Sequence, residues 1–179
     1  DNVSGSPQIY VRENTVAHQR TFVADGSAGA TLQEILANND LGAGDVIVMR
    51  GAQAGSVTIG SNDAGVAIIG EAGAALSGSI TLETGAADVV IQRLAVGGNI
   101  TVNGADRFTL SQATAAALTV NGATGVQIGY SQLSSGVTVN GASAGLRIAY
   151  SRLGGPLALH ATASGARIAD STIAGAVRV

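Results

Sequence analysis

The stretch TVNGADRFTLSQATAAALTVNGATGVQIGYSQLSSGVTVNG, from Thr101 to Gly141, contains the phrase Thr-Val-Asn-Gly three times. The phrase begins at Thr101, Thr119 and Thr138, so its copies are 18 and 19 residues apart. A period of about 20 residues is typical of repeat proteins, in which each unit buries its apolar face against the next unit. The repeat therefore has to be followed along the whole chain before a fold is inferred.

Short apolar-x-apolar triplets extend the repeat over most of the chain. A first set begins at Val46, Val66, Val89, Phe108, Val126, Leu146 and Ala166. A second set begins at Val57, Ile80, Ile100, Leu118, Val137, Leu157 and Val177. Another apolar residue lies between the two triplets of most units, at Val96, Ala115, Leu133, Leu153 and Ile173. Each triplet has the period of a β-strand with two inward side chains. Because like residues recur about every 20 positions, the strands are predicted to stack in parallel as turns of a solenoid, about 4.8 Å apart.

Polar residues also recur once per unit, on the outer side and at the bends. The outward position of the second triplet is predicted to form a column of Thr58, Thr81, Thr101, Thr119 and Thr138, followed by Ala158 and Arg178. Asn103, Asn121 and Asn140 follow at the adjoining bend, and Ser131, Ser151 and Ser171 follow the first strand. We expect the asparagines to adopt the left-handed backbone of a sharp corner and to hydrogen-bond along the axis as a structural ladder.

The segment before the first triplet has a different pattern. In TLQEILANN, Thr31 is a predicted helix N-cap and Glu34 completes a capping box. The apolar residues Leu32, Ile35 and Leu36 fall on one face, so we expect a short helix that covers the first turn. RTFVADG and PQIYVRE are predicted to be short strands. The chain is thus divided into N-terminal strands and a capping helix over residues 1–45 and a parallel β-helix over residues 46–179.

Residues 21–51, TFVADGSAGATLQEILANNDLGAGDVIVMRG, resemble the opening of parallel β-helix proteins of the pectin lyase-like superfamily. The units VQIGYSQLSSGVTVNG and LRIAYSRLGGPLALHA are similar to the rungs of those proteins. The resemblance implies an all-β, right-handed parallel β-helix of about seven rungs with a short N-terminal capping helix. It implies little about function, because that superfamily includes lyases, hydrolases, phage tailspikes, adhesins and inert scaffolds.

The resemblance also directs attention to the chemistry of polysaccharide lyases, which use acidic calcium ligands beside a basic residue. Asp63, Asp88 and Asp106 lie in predicted corners, and Arg107 follows Asp106. These acids belong to different turns of unequal length, so we predict neither a metal site nor a cofactor.

No outward strand position offers the paired carboxylates that glycosidases require. His18 and His160 are the only histidines, and His160 takes the place of a ladder asparagine. We therefore predict no catalytic residues.

Composition narrows the range of partners. The 179 residues include nine arginines, no lysine and 12 acids, for a net charge of −3, which gives no basic surface for nucleic acid. No run approaches the roughly 20 apolar residues of a membrane span. There is no cysteine, so stability must come from packing.

Two surface features suggest binding. Tyr130 and Tyr150 occupy equivalent positions one unit apart, near Arg147, Arg152 and Arg167. Stacked rings beside guanidinium groups predict a shallow sugar-binding patch, although mutual stacking that only covers the coil explains the same pattern. The threonine column resembles the regular arrays of ice-binding solenoids, but it has one threonine per strand.

The final residues, AVRV, fall on the second strand of a unit. Such a strand is a template for another chain, so we expect either a piece of a longer solenoid or an end covered by the next subunit, through its PQIYV strand. The sequence favours a non-enzymatic structural solenoid, extracellular or at the cell surface, that self-associates through its ends into a filament or belongs to an adhesin. A carbohydrate-binding or polysaccharide-lyase-like protein is the alternative, and an ice-binding protein is the lesser one.

Overall fold

The computed structural model of the protein describes residues 19–179. They form an all-β parallel solenoid of about seven turns with one short α-helix near the start, which confirms the fold predicted from the repeat. Each turn, or rung, contributes one strand to each of three sheets, and every strand pair is parallel. The predicted strand PQIYVRE lies outside the described residues.

The strands are numbered in chain order, and sheet 1 has eight of them. Sheet 1 consists of β1 (Thr21–Ala24), β2 (Val46–Met49), β5 (Ala67–Gly70), β8 (Val90–Gln92), β11 (Thr109–Ser111), β14 (Gln127–Gly129), β17 (Arg147–Ala149) and β20 (Arg167–Ala169). Strand β1 corresponds to the predicted strand RTFVADG and pairs in parallel with β2.

Sheets 2 and 3 have seven strands each. Sheet 2 consists of β3 (Ala52–Gln53), β6 (Ala75–Leu76), β9 (Ala95–Val96), β12 (Thr114–Ala115), β15 (Gln132–Leu133), β18 (Arg152–Leu153) and β21 (Thr172–Ile173). Sheet 3 consists of β4 (Val57–Ile59), β7 (Ile80–Leu82), β10 (Ile100–Asn103), β13 (Leu118–Asn121), β16 (Val137–Asn140), β19 (Leu157–Leu159) and β22 (Val177–Arg178).

The inward side chains form one continuous core along the axis. In sheet 1 a column of aliphatic residues runs from rung to rung in register, namely Ile47, Ile68, Ile91, Leu110, Ile128, Ile148 and Ile168. All but the last are buried. At about 25 cal/mol for each Å² of apolar surface removed from water, this column and its counterparts in sheets 2 and 3 supply the main stabilisation of the rod.

In the first rung, the residues of β2 that face the core are shifted by one position from those predicted. The inward residues of β2 are Ile47 and Met49, whereas Val46 and Val48, which the triplet placed inside, are only half-buried. Val46 pairs with Ala67, so the residue at the level of Val66 is Asp45. All four residues of β2 are apolar, and the alternation that distinguishes the two faces is therefore missing from the sequence.

The corner after sheet 3 is also built differently from the prediction. The asparagines end their strands, and the following glycines take the left-handed backbone, with φ values of 56°, 62° and 65° at Gly104, Gly122 and Gly141. The expectation that asparagine itself turns the corner was wrong. Glycine has no Cβ and adopts this conformation without steric cost, which leaves asparagine free to remain extended.

The helix α1 (Leu32–Asn38) begins as predicted. Thr31 Oγ1 accepts a hydrogen bond from Glu34 N at 3.2 Å, and Glu34 Oε2 accepts one from Thr31 N at 3.1 Å, which completes the capping box. The apolar face of Leu32, Ile35 and Leu36 is buried, and α1 packs against β1 and β4. The helix thereby covers the core of the first rung.

Two buried polar side chains attach this cap to the solenoid. Gln53 occupies the core position of Leu76; its Oε1 accepts a hydrogen bond from Leu32 N at 2.9 Å and its Nε2 donates one to Ala24 O at 2.7 Å. Asp45 accepts hydrogen bonds from Arg20 N at 2.9 Å, Arg20 Nη2 at 2.6 Å and Gly42 N at 3.1 Å. The hydrogen bond from the Arg20 side chain is the main reason that the pKa of Asp45 falls to about 2.

At the corner between sheets 2 and 3 the backbones of successive rungs lie very close together. A Cβ on Gly78 would collide with the carbonyl oxygen of Gly55, and one on Gly154 would collide with that of Ser134. Each of these glycines lies directly against the backbone of the preceding rung, so no side chain is accommodated there.

Candidate functional site

The two tyrosines of the predicted binding patch lie at the corner between sheets 1 and 2. Tyr130 and Tyr150 have φ values of 52° and 51°, in the left-handed region that most side chains avoid. Their rings stack with centroids 4.9 Å apart and an interplanar angle of 11°. This separation matches the spacing of parallel strands, because the residues are equivalent in consecutive rungs. Tyr130 and Tyr150 are 62% and 53% exposed as whole residues, which leaves aromatic surface open to solvent.

The three predicted arginines are exposed around this corner. Arg147 and Arg167 are directly paired in β17 and β20, and Arg152 begins β18 two residues after Tyr150. Within residues 19–179 the guanidinium group of none of the three forms an ion pair or a hydrogen bond. No guanidinium lies over either tyrosine ring in that range; the cation–π contact there joins Arg20 and Phe22. The structure thus brings the tyrosines together and two arginines side by side, without joining the two groups.

A shallow groove follows sheet 2 beside the tyrosines. It has a volume of about 460 Å³ and its walls include Gly97, Thr114, Gln132, Ser134 and Arg152. Thr114, Gln132 and Arg152 are the outward residues of three consecutive rungs and are in register. An extended ligand along this groove would meet hydroxyl, amide and guanidinium groups in turn. Such groups recognise the hydroxyls and carboxylates of an acidic sugar chain.

The outward residues of sheet 3 form the polar columns. Thr58, Thr81, Thr101, Thr119 and Thr138 are in register, with Ala158 and Arg178 after them. Beside them, Asn121 Nδ2 donates to Asn103 Oδ1 at 2.8 Å and Asn140 Nδ2 donates to Asn121 Oδ1 at 2.9 Å. These side-chain hydrogen bonds connect three rungs along the axis.

A second polar file lies inside the corner after sheet 1. Ser131 N donates to Ser151 Oγ and Ser151 N donates to Ser171 Oγ, each at 3.1 Å. Each hydroxyl in turn donates to a carbonyl oxygen of its own rung, for example Ser131 Oγ to Gly129 O at 2.8 Å. Backbone groups left over at this bend are therefore satisfied within the protein, as burial requires.

The acidic residues considered for calcium do not converge. Asp88 is bound by Arg107 through two hydrogen bonds of 2.5 Å, and this pairing is the main cause of its lowered pKa. Asp106 accepts a hydrogen bond from Thr124 N at 2.7 Å, which lowers its pKa. Asp63 lies elsewhere, at the end of the 3₁₀-helix Ser61–Asp63. Across residues 19–179 no three His, Cys, Asp or Glu side chains are grouped so as to hold a metal.

The remaining candidates are confined to surface corners. His160 is exposed, and its Nδ1 lies 2.9 Å from Thr162 Oγ1 and accepts from Thr162 N at 3.2 Å, which is a local turn contact. His18 lies outside the described residues. In the part of the chain that the structure covers, no helix has the length and apolarity needed to cross a bilayer.

Asp45 and Gln53 are the positioning residues that sequence reasoning missed. Each lies at a core position of its rung. Neither falls inside one of the apolar triplets, so the repeat did not identify it as a core residue. The available signal was that Asp45 aligns with the inward residue Val66 of the next rung. This alignment is seen only when the register of β2 is known.

Comparison with known proteins found no matching family, no matching curated protein and no matching solved structure.

Proposed function

We propose that the chain is a non-enzymatic structural solenoid of the pectin lyase-like type, located outside the cell or on its surface, that associates head to tail in a filament or an adhesin. The observation that carries the proposal is the exposed apolar surface of the last rung, and the opposite charges of the two ends favour a second copy as its partner. One end is capped and acidic, and the other presents core positions and is basic.

The last rung offers an apolar surface to a further rung. Ile168 is 43% exposed, whereas Ile148, its equivalent one rung earlier, is 1% exposed. Val177 is 54% exposed and its equivalent Leu157 is fully buried. Unpaired strand edges together with exposed apolar side chains favour the addition of another β-structure in register.

Charge favours a second copy of the same chain as that partner. Residues 19–45 contain one arginine and four acids, a net charge of −3, and residues 146–179 contain four arginines and one aspartate, a net charge of +3. Ends of opposite charge attract each other during encounter, and salt weakens this attraction. A heterologous contact of this kind repeats along an axis and produces an open filament.

Electron microscopy and sedimentation of the full chain test the proposal. At low salt we expect filaments one rod wide, which dissociate as the salt concentration rises. Ile168→Arg places a charge on the apolar end and should prevent assembly. Thr138→Arg, which adds the same group on the exposed side of an inner rung, should leave assembly unchanged. A monomer at every concentration and salt level would contradict self-association, as would equal assembly by Ile168→Arg.

A second candidate function is binding of an acidic polysaccharide, favoured by the exposed tyrosine stack and the three arginines without an ion pair. The faces of Tyr130 and Tyr150 suit sugar rings, and Arg152 lies in the adjoining groove. Affinity electrophoresis in gels containing pectate or alginate measures this binding. Retardation should fall in Tyr150→Ala and Arg152→Gln and persist in Arg50→Gln, an arginine outside the groove. Equal retardation of all three variants would indicate general charge attraction, and the release of unsaturated sugars would indicate a lyase.

A further inference from the structure

Asp63 is a buried carboxylate that the protein satisfies only in part. It is 5% exposed, and its Oδ2 accepts a hydrogen bond from Gly60 N at 3.1 Å. Its Oδ1 is shielded from solvent and has no partner within hydrogen-bond geometry among residues 19–179. The nearby Leu41 N–H lowers the pKa of this carboxyl, but by less than burial raises it. A buried charged oxygen without a partner is strongly unfavourable, so such an atom in a folded protein indicates a missing interaction.

The side chain lines a polar recess between the end of α1 and the 3₁₀-helix. The recess has a volume of about 390 Å³, and its polar lining is formed by Asn38, Asn39, Asp40, Ser61, Asn62 and Asp63. Asn39 Nδ2 donates to Ile35 O at 2.8 Å, which leaves its amide oxygen as an acceptor. The last carbonyl oxygens of a helix also have no donor within the helix. The recess is therefore rich in oxygen atoms.

The electrostatics of the recess favour a cation. Burial, with a contribution from the charge of Asp40, raises the pKa of Asp63, as expected where carboxylates lack compensation. Arg20 donates to the Asp40 carbonyl oxygen, but its charge is matched by Asp45 at 2.6 Å. Asp40 forms no ion pair within residues 19–179. No lysine is present anywhere in the chain to neutralise the site.

We propose that the recess binds a calcium ion, with Asp63 and Asp40 as the charged ligands and neighbouring amide, hydroxyl or carbonyl oxygens completing the shell. Calcium takes six to eight oxygen ligands in flexible geometry, and carboxylates, asparagine amides and backbone carbonyls all serve. The site has two carboxylates rather than three or more, so its dissociation constant should be about 10⁻⁴ to 10⁻³ M, in the range of extracellular modules. The ion would join the capping helix to the first rung.

Thermal unfolding of the full chain, followed by circular dichroism, tests the site. Calcium chloride at 10 mM should raise the Tm by roughly 3 °C over sodium chloride of equal ionic strength, because an ion that binds only the folded state stabilises it. Asp63→Asn should abolish this shift. Asp40→Asn alters an exposed side chain and should weaken calcium binding at least tenfold in isothermal titration. Asp170→Asn, an exposed acid at the other end of the rod, is the matched control and should keep the full shift.

Several results would overturn the proposal. These are a wild-type Tm that does not respond to calcium, an equal response to sodium chloride, and a full response in Asp40→Asn. If Asp63→Asn fails to fold, Asp40→Asn still decides the question, since its side chain supports no packing. The test is independent of filament formation, because it is made on monomers at low protein concentration.

Discussion

The two ends of the solenoid differ in how far their core side chains are covered. At the first rung, Asp45 and Gln53 replace aliphatic residues and hold a helix over the core, where Ile47 is fully buried. At the last rung the inward positions remain aliphatic, and Ile168 is 43% exposed. The comparison shows that a repeat unit becomes a cap by exchanging apolar side chains for polar ones that bind a covering segment. The last unit lacks that exchange, and its inward residues Ile168 and Val177 are partly exposed.

The same truncation at an inner and at the final rung should have very different costs. Ile148→Ala removes a side chain packed between rungs and should lower the free energy of unfolding by about 3 kcal/mol. Ile168→Ala should cost about 1 kcal/mol, because much of that side chain is already in water. Urea denaturation of monomers measures both values. Equal losses would mean that another segment covers the final rung in solution.

Gln53→Leu tests whether the cap depends on polar anchoring. Leucine restores the aliphatic residue found at Leu76, yet it leaves Leu32 N and Ala24 O without their partners. Unsatisfied buried groups outweigh the added apolar contact, so we expect a loss of about 2 kcal/mol in denaturation experiments. Gln132→Leu, on the outward side of the same sheet, should be close to neutral. A stabilised Gln53→Leu would contradict this account of the cap.

Thr31→Ala removes the N-cap of α1 and should cost about 1 kcal/mol. The effect should stay local, because each rung of a solenoid contacts only its neighbours. Hydrogen exchange should accelerate in α1 and the first rung and remain unchanged in β17 to β19. Uniform acceleration along the rod would show that the solenoid unfolds as one cooperative unit.

Acid should lower the free energy of unfolding at the capped end by a still smaller amount, because Arg20, the partner of Asp45, is half-exposed. The pKa of Asp45 is about 2 in the folded protein, below its ordinary value of 3.8. Its contribution is therefore complete above about pH 4 and is lost as the pH falls toward 2. Between these values the wild type should lose more stability than Asp45→Asn. Asp170→Asn should behave like the wild type, and identical pH profiles for all three proteins would refute the assignment.

The sequence predicted the fold well because its repeat appears in both apolar and polar positions. The spacing of Tyr130 and Tyr150 by one unit was enough to anticipate equivalent positions, and the stacked rings follow from the rung spacing. The predicted register of β2 was wrong because its sequence does not alternate between apolar and polar residues: all four residues, Val46, Ile47, Val48 and Met49, are apolar.

Other features depended on contacts that no spacing reveals. Glycine rather than asparagine turns the corner at Gly122, because the choice between neighbouring residues is made by backbone geometry. The approach of Asp40 to Asp63 arises from the docking of α1, which lies outside the repeat. The position of a residue outside the repeat cannot be predicted from spacing, because it depends on how its segment packs against the solenoid.

The constant register of the inner rungs has a consequence for how such a chain grows or shrinks. Ser111 pairs with Gly129, so a deletion of residues 112–129 would join Ser111 to Tyr130 and rebuild the same corner, with the later strands pairing in the same register one rung earlier. A tandem copy of those 18 codons would lengthen the rod by one layer in the same manner. The length of the solenoid can therefore be changed by whole turns without a change in the sequence of either end.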